Sequence, residues 1–454
     1  MIYKFLKQII KVSLFFFFKK IVVTGRKNIP DTGPLILVAN HPNTFMDPLL
    51  IAAITSNRMG FVANASIFVN KFIAKIFRYF HVIPIYRKKD IQPGEKPDNR
   101  LAFSKCHDYL EQRGTLLIFP EGTSYYELKL REIKTGTARI ALSYEELKGF
   151  EGNLKIIPIA LDYSDSIQFR SMVSITVCKP LMVSDYKQTY ESIEFDAVLQ
   201  LTGAIRTALA EIIPHTTGKE QEQFLLEAHQ FYTAFYATKA DLDENPKLSL
   251  VLRNQVSKAL QFLQKENLTL YLDTQKKLLL FFKLLKEERI TPAIVSNSML
   301  KRNKPLVYGI SLLQFLVLLP AYIFGLCTNY LPYMITPRIF KTLKLDISYR
   351  APVQMLTGLI TFPFFYGMII WLYRTYISSD FWHSLILFCL MPITGYIAMF
   401  YYAEMKRFRR MIRYIFFVKE SKKQSLLKLQ SDILRNMEMA RKQYSQSFEV
   451  QEGN

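Results

Sequence analysis

The chain has 454 residues, half of them hydrophobic and 14% aromatic, and only 21% are charged. This excludes an intrinsically disordered chain, a collagen and a coiled coil. Lysine and arginine (59) outnumber aspartate and glutamate (38), and the net charge of +21 suits anionic partners: nucleic acid, phosphorylated metabolites or acidic lipid. Cys106, Cys178, Cys327 and Cys389 are scattered without a CxxC pair, which excludes a disulfide scaffold or zinc module and fits a reducing compartment.

In chain order, MIYKFLKQIIKVSLFFFFKKIVV interleaves lysines with aliphatics, and its longest apolar run, Val12–Phe18, is too short to span a bilayer. With no small-residue cleavage site it does not read as a signal peptide. It predicts a membrane-interface helix over 1–23, with a helix packed on the next domain as the alternative.

Over 24–215 the pattern changes to short β-rich runs at 34–40, 60–65, 81–86, 115–120, 155–161 and 173–181, separated by helix-like stretches. Nearly continuous apolar strands of this kind predict an α/β domain, a mixed, mostly parallel sheet covered by helices. One intervening helix is predicted over 66–80, capped by Ser66, with Phe68, Phe72, Ile76 and Phe80 on one side and Lys71, Lys75 and Arg78 elsewhere. Residues 216–300 read as a region of amphipathic helices without a catalytic pattern.

Three uncharged runs follow, 305–337, 351–373 and 381–403. Each reaches the roughly 20 residues needed to cross a hydrocarbon core of ~30 Å, so 301–403 is expected to be a transmembrane region. Basic residues precede the first run (Lys301, Arg302, Lys304), separate it from the second (Arg338, Lys341, Lys344, Arg350) and follow the third (Lys406, Arg407, Arg409, Arg410, Arg413). The YISSDFW link has none, so the positive-inside rule makes 351–403 a hairpin with both ends cytoplasmic. The first run would then leave and return on one side, with breaks at Pro320 and Pro332; three simple spans are the alternative. Residues 404–454 are expected to be a basic tail, helical and then disordered.

Two segments carry candidate chemistry. In VANHPNTFMDPLL, His41 and Asp47 lie between a strand exit and a helix entry. A histidine accepts a proton near neutral pH, and a carboxylate on its other nitrogen fixes tautomer and orientation. His41 precedes Pro42, which favours an extended residue and lets the loop fold back toward Asp47. Asp47 before Pro48 is equally a helix N-cap, and His41 equally a structural histidine. In LLIFPEGTSYYELKLREIKTG a buried-type strand runs into a Glu121-Gly122 turn, then Lys129, Arg131 and Lys134. Turn amides with nearby cations suit a phosphate; a strand-ending turn with a solvated basic face is the plainer alternative.

Together, NHPNTFMD and FPEGTS resemble the glycerolipid acyltransferase family, the phospholipid/glycerol acyltransferases with an H-x4-D box. IPIYR (83–87) and IIPIAL (156–161) resemble two further boxes of that family in the expected order, so the resemblance covers roughly 24–215. It implies His41 as general base, Asp47 as its support, Arg87 as a ligand of the acceptor phosphate, and Glu121, Gly122, Thr123 and Ser124 around the acceptor, with Lys134 a second cation. Many members have arginine where this chain has Ser124, so Arg87 and Lys134 must carry more of the phosphate, or the acceptor differs.

The implied function is transfer of a fatty acyl group from acyl-CoA or acyl carrier protein to glycerol 3-phosphate or dihydroxyacetone phosphate, in phospholipid biosynthesis. The implied partners are membrane lipids, the acyl donor and the glycerophosphate acceptor. No metal and no cofactor beyond that donor is expected. The protein is then an integral membrane protein with its catalytic domain on the cytoplasmic face. Acylation of lysophosphatidate is the alternative within enzymes, and a catalytically silent lipid-binding scaffold the alternative outside them. Nucleic-acid binding is not expected, because the basic residues sit beside apolar runs without a recognition motif.

Overall fold

The run Leu35–Ala39, LILVA, is buried at every position, as a parallel strand covered on both faces requires. It is the centre of an eight-stranded sheet: β1 (Lys20–Thr24), β2 (Leu35–Ala39), β3 (Met59–Asn64), β4 (Val82–Ile85), β5 (Thr115–Ile118), β6 (Lys155–Tyr163), β7 (Met172–Val177) and β8 (Leu181–Met182). The strand order is β1-β7-β6-β2-β5-β3-β4, with β8 on β6. Every pairing is parallel except β6–β7 and β6–β8, so the mixed, mostly parallel sheet is as expected. Residues 164–171 between β6 and β7 are too few for the crossover a parallel pair demands, and the chain turns back antiparallel. The computed structural model describes residues 2–452 apart from Asn57, Val69, 87–98, 237–245 and 297–303.

Met1–His215 with Asp346–Pro352 form one compact unit, and Thr216–Leu345 with Val353–Asn454 another. In the first, Ile36 and Val38 of β2 meet Leu116 and Ile118 of β5 under the helices Gly136–Leu147 and Glu194–Ala210, which bury Ala138, Ile140, Leu201, Ile205 and Leu209. Leu35, Leu37 and Ala39, alternating onto the other face, are equally buried. The N-terminal helix α1 (Ile2–Phe17) is amphipathic: Leu14 and Phe17 are buried, Phe17 against Phe169, while Phe5, Val12 and Phe15 are exposed. Residues 20–24, read as the end of that helical stretch and the start of the next domain, are instead edge strand β1, paired with Met172–Thr176.

The helix expected over 66–80 is divided. Asn64, not Ser66, is the cap: its side chain accepts from the Ser66 amide at 3.3 Å and starts a single 3-10 turn, Ala65–Ile67. The α-helix proper is Lys71–Tyr79.

In the second unit, helix Glu420–Glu452 packs on helix Leu268–Glu287, where Asn436 Nδ2 donates to Asp273 Oδ2 at 2.8 Å and Lys422 pairs with Glu288. Three of the described helices are long and apolar enough to cross a membrane. Lys304–Leu343 is one continuous helix through Pro320, Pro332 and Pro337, not two half-helices broken at the first two prolines. Proline frees the carbonyl one turn back, and hydroxyl groups can satisfy it: Thr336 Oγ1 donates to the Tyr333 carbonyl that Pro337 leaves open, at 3.1 Å. This helix runs antiparallel to Phe381–Ile412, with Tyr308 against Phe408 and Tyr322 stacked on Tyr401. Asn329 joins three helices, donating to the Met391 carbonyl at 3.0 Å and accepting from Tyr366 OH at 2.5 Å.

Candidate active site

Parallel neighbours end on the same edge of a sheet, so the loops after β2, β5 and β6 meet at the carboxyl edge, where open α/β sheets bind ligands. His41 follows β2, the Phe119–Ser124 turn follows β5, and Tyr163 closes β6. Asn40 sets the exit of β2. Its carboxamide imitates a strand amide, donating to the Leu161 carbonyl at 2.9 Å and accepting from the Leu161 amide at 2.8 Å.

From that exit the chain folds back as expected. His41 Nδ1 lies 2.8 Å from Asp47 Oδ2. Asp47 is in the first turn of helix Met46–Ile54, whose N-cap position is Phe45, so the capping alternative does not hold. Its side chain is wholly buried, whereas that of His41 is 14% exposed. The carboxylate also accepts from the Asn43 amide at 2.8 Å and from Tyr163 OH at 2.5 Å. Burial pushes the Asp47 carboxyl up, and the bonds from His41, Tyr163 and Asn43 oppose that rise. Phe119 stacks on the imidazole at 3.9 Å between centroids. With Nδ1 on the carboxylate and one face covered, Nε2 is the atom left for a reactant; among the described residues it has no hydrogen-bond partner.

The Pro-Glu-Gly turn grips the backbone of His41. Glu121 Oε1 accepts from the His41 amide at 3.2 Å, and the Tyr125 amide donates to the His41 carbonyl at 3.2 Å. Gly122 adopts φ +72°, and a Cβ there would lie 2.8 Å from Lys134 Nζ, so glycine admits the ammonium against the turn. Thr123 Oγ1 donates to the Gly122 carbonyl at 2.7 Å, and Ser124 Oγ to Thr44 Oγ1 at 3.3 Å. Arg131 lies over the Tyr125 ring at 3.9 Å and pairs with Glu127. His41, Asp47, Glu121, Gly122, Thr123, Ser124 and Lys134 are thus brought together, while Arg87 lies outside the described residues. Tyr163 and Phe119 have roles that spacing does not reveal. Among the described residues no cluster of His, Cys, Asp or Glu is arranged as a metal site.

Glu121 has a measurable consequence. Burial pushes its carboxyl up to about 7 from an ordinary 4.5; repulsion from Asp47 adds to this, and the His41 amide and Arg131 oppose it. Between those values the folded chain holds a proton that the unfolded chain has lost. Stability from this group is therefore complete below 4.5 and falls as pH rises through 7, by about 3 kcal/mol. Glu121→Gln keeps the acceptor oxygen but not the charge. Its unfolding midpoint should fall less than that of the parent between pH 5 and 8 in denaturant titrations, and parallel pH curves would refute the assignment.

Residues 20–162 match the acyltransferase family model. The chain is 27% identical over 141 residues to a glycerol-3-phosphate O-acyltransferase of Saccharomyces cerevisiae, covering 30% of this chain and 19% of that protein. It is 26% identical over 125 residues to a chloroplastic 1-acyl-sn-glycerol-3-phosphate acyltransferase of Arabidopsis thaliana, covering 27% and 33%. The chain therefore spans a third or less of these relatives' length. The crystal structure of a 1-acyl-sn-glycerophosphate acyltransferase from Thermotoga maritima is similar over 45% of this chain and 78% of that one, with 18% identity and a TM-score of 0.32.

Proposed function

Taking residues 20–162 as a domain of the glycerolipid acyltransferase family, we propose that this protein is a membrane-bound O-acyltransferase that esterifies glycerol 3-phosphate, or dihydroxyacetone phosphate, with a fatty acyl group from acyl-CoA or acyl carrier protein. One observation carries the proposal: His41 is held at Nδ1 by Asp47 and through its backbone by the Glu121 turn, and its Nε2 is left without a partner among the described residues.

In this mechanism Nε2 takes the proton of the acceptor hydroxyl while the oxygen attacks the thioester carbonyl carbon. The tetrahedral intermediate collapses with cleavage of the C–S bond, and the imidazolium returns its proton to the departing thiolate. The products are an ester and a free thiol. Asp47 stabilises the imidazolium during transfer, and because the acceptor hydroxyl attacks the thioester directly the route has no acyl-enzyme. Lys134 Nζ lies against Gly122 of the turn, and this reading assigns it, with Arg87, to the acceptor phosphate. The three apolar helices would anchor the catalytic domain on the cytoplasmic face, with the exposed apolar residues of α1 in the interface.

The deciding assay offers labelled acyl-CoA to the purified full chain in detergent, with glycerol 3-phosphate, dihydroxyacetone phosphate and lysophosphatidate in parallel. Preference for lysophosphatidate would replace the assigned acceptor, and inactivity with every acceptor and donor would favour a silent scaffold. Lys134→Ala should raise the KM for a phosphorylated acceptor about tenfold, the worth of one charge-assisted bond, with kcat within about twofold. An unchanged KM would remove Lys134 from the phosphate site.

A further inference from the structure

The residues matched to the family end at 162, yet a segment far beyond them reaches the active-site loops. Asp346–Pro352 belongs to the same compact unit as the sheet. Thr44, between His41 and Asp47, places its Oγ1 3.1 Å from both the carbonyl oxygen and Oγ of Ser348. Ser124 donates to the same Thr44 hydroxyl at 3.3 Å. Beside this chain of hydroxyls the Phe45 ring meets Tyr349 edge-on at 5.9 Å. Ser348 is only 2% exposed, a position that costs a hydroxyl free energy unless it is bonded. It is itself oriented from below: Asp346 Oδ1 accepts from the Ser348 amide at 2.9 Å, and that bond with the Ser348 hydroxyl holds the Asp346 carboxyl below its usual range.

The contact falls where the site most needs support. Residues 40–45 lie outside regular secondary structure between β2 and helix Met46–Ile54, so main-chain ladders do not hold them. Within the loop, Asn43 is tied to Ser166 and Thr44 to Ser348. Through Ser124 the second tie extends to the turn that holds the His41 amide.

We propose that Ser348 is a positioning residue for the acyl transfer, supplied by a segment outside the matched domain. By bonding Thr44, and through it Ser124, it fixes the loop that keeps His41 on Asp47 beside the Glu121 turn. Tyr349 walls the same loop through Phe45. The kinetic part of this inference rests on the acyltransferase reading; the structural part does not. Ser348 is the middle residue of the Ile347–Tyr349 turn that leads into helix Arg350–Tyr376, so the site is complete only when residues far from its own domain in sequence are seated.

The experiment uses the full chain in detergent. Thr44→Val removes the contacts with the Ser348 carbonyl and Oγ and with Ser124, and should lower kcat about tenfold with both KM values within about twofold, the split expected when alignment rather than binding is lost. Ser348→Ala removes the Oγ contact alone and should cost about threefold, and the double variant should lose no more than Thr44→Val. Thr44→Ser should recover most of the rate lost by Thr44→Val. Amide exchange over 41–47 should quicken in Ser348→Ala, an outcome independent of any substrate. Additive kinetic losses, or exchange unchanged in both Ser348→Ala and Thr44→Val, would overturn the proposal. If the parent is inactive with every substrate, the acyltransferase reading fails and the exchange measurement alone decides the tether.

Discussion

His41→Ala should abolish acyl transfer for practical purposes, lowering kcat by about 10³-fold, or about 4 kcal/mol in the barrier. The expectation follows from the absence of a substitute. Nδ1 is committed to Asp47, and Nε2 has no partner among the described residues. The neighbouring acid, Glu121, directs Oε1 at the His41 backbone amide rather than at the imidazole. The imidazole pairs with the buried Asp47 carboxylate and stacks on Phe119, so its removal leaves that carboxylate short of a partner. The variant should therefore fold with a lowered unfolding midpoint, and KM for the acyl donor should change little. The measurement is labelled acyl transfer at saturating donor and acceptor. A variant retaining a tenth of the parent kcat would remove His41 from proton transfer.

How much of this site could be read beforehand depended on how far each partner lies along the chain. His41 and Asp47 are six positions apart, and the strand, the proline and the helix start that bring them together are all visible locally. The Phe119–Ser124 turn follows a strand buried on both faces, whose apolar run is unambiguous. Tyr163 was not legible, because it meets Asp47 across 116 positions and sits in a strand where any large apolar residue would read the same. Ser348 meets Thr44 across 304 positions from a stretch that looks like a basic link between apolar runs. Strand β1 was hidden for a related reason: Lys20–Thr24 continues an amphipathic pattern and becomes a strand only by pairing with Met172–Thr176. Local chemistry marks the reacting groups, whereas the groups that hold them in place come from the topology.

The division between reacting and holding groups makes the second large effect specific. Asp47→Asn preserves shape, but a carboxamide cannot satisfy its three partners as the carboxylate does: the imidazole, the Asn43 amide and Tyr163 OH all approach it. With its NH2 at the Oδ2 position it faces His41, which favours the tautomer with the proton on Nε2, the nitrogen that must accept one, and it also sets donor against donor at the Asn43 amide. With its NH2 at the Oδ1 position it faces Tyr163 OH, which loses its acceptor. Loss of the charge also removes the counter-ion of the imidazolium formed during transfer. The expected loss in kcat is about 10²-fold, smaller than for His41→Ala because the base itself survives, with KM little altered. Tyr163→Phe deletes one bond to the carboxylate and leaves two, so about a threefold to tenfold loss is expected, the worth of about one hydrogen bond. The order His41→Ala, Asp47→Asn, Tyr163→Phe in kcat, at unchanged KM, is the signature of a base, its counter-ion and the clamp on that counter-ion. If Tyr163→Phe cost as much as Asp47→Asn, the buried carboxylate would be holding up the fold rather than serving the imidazole.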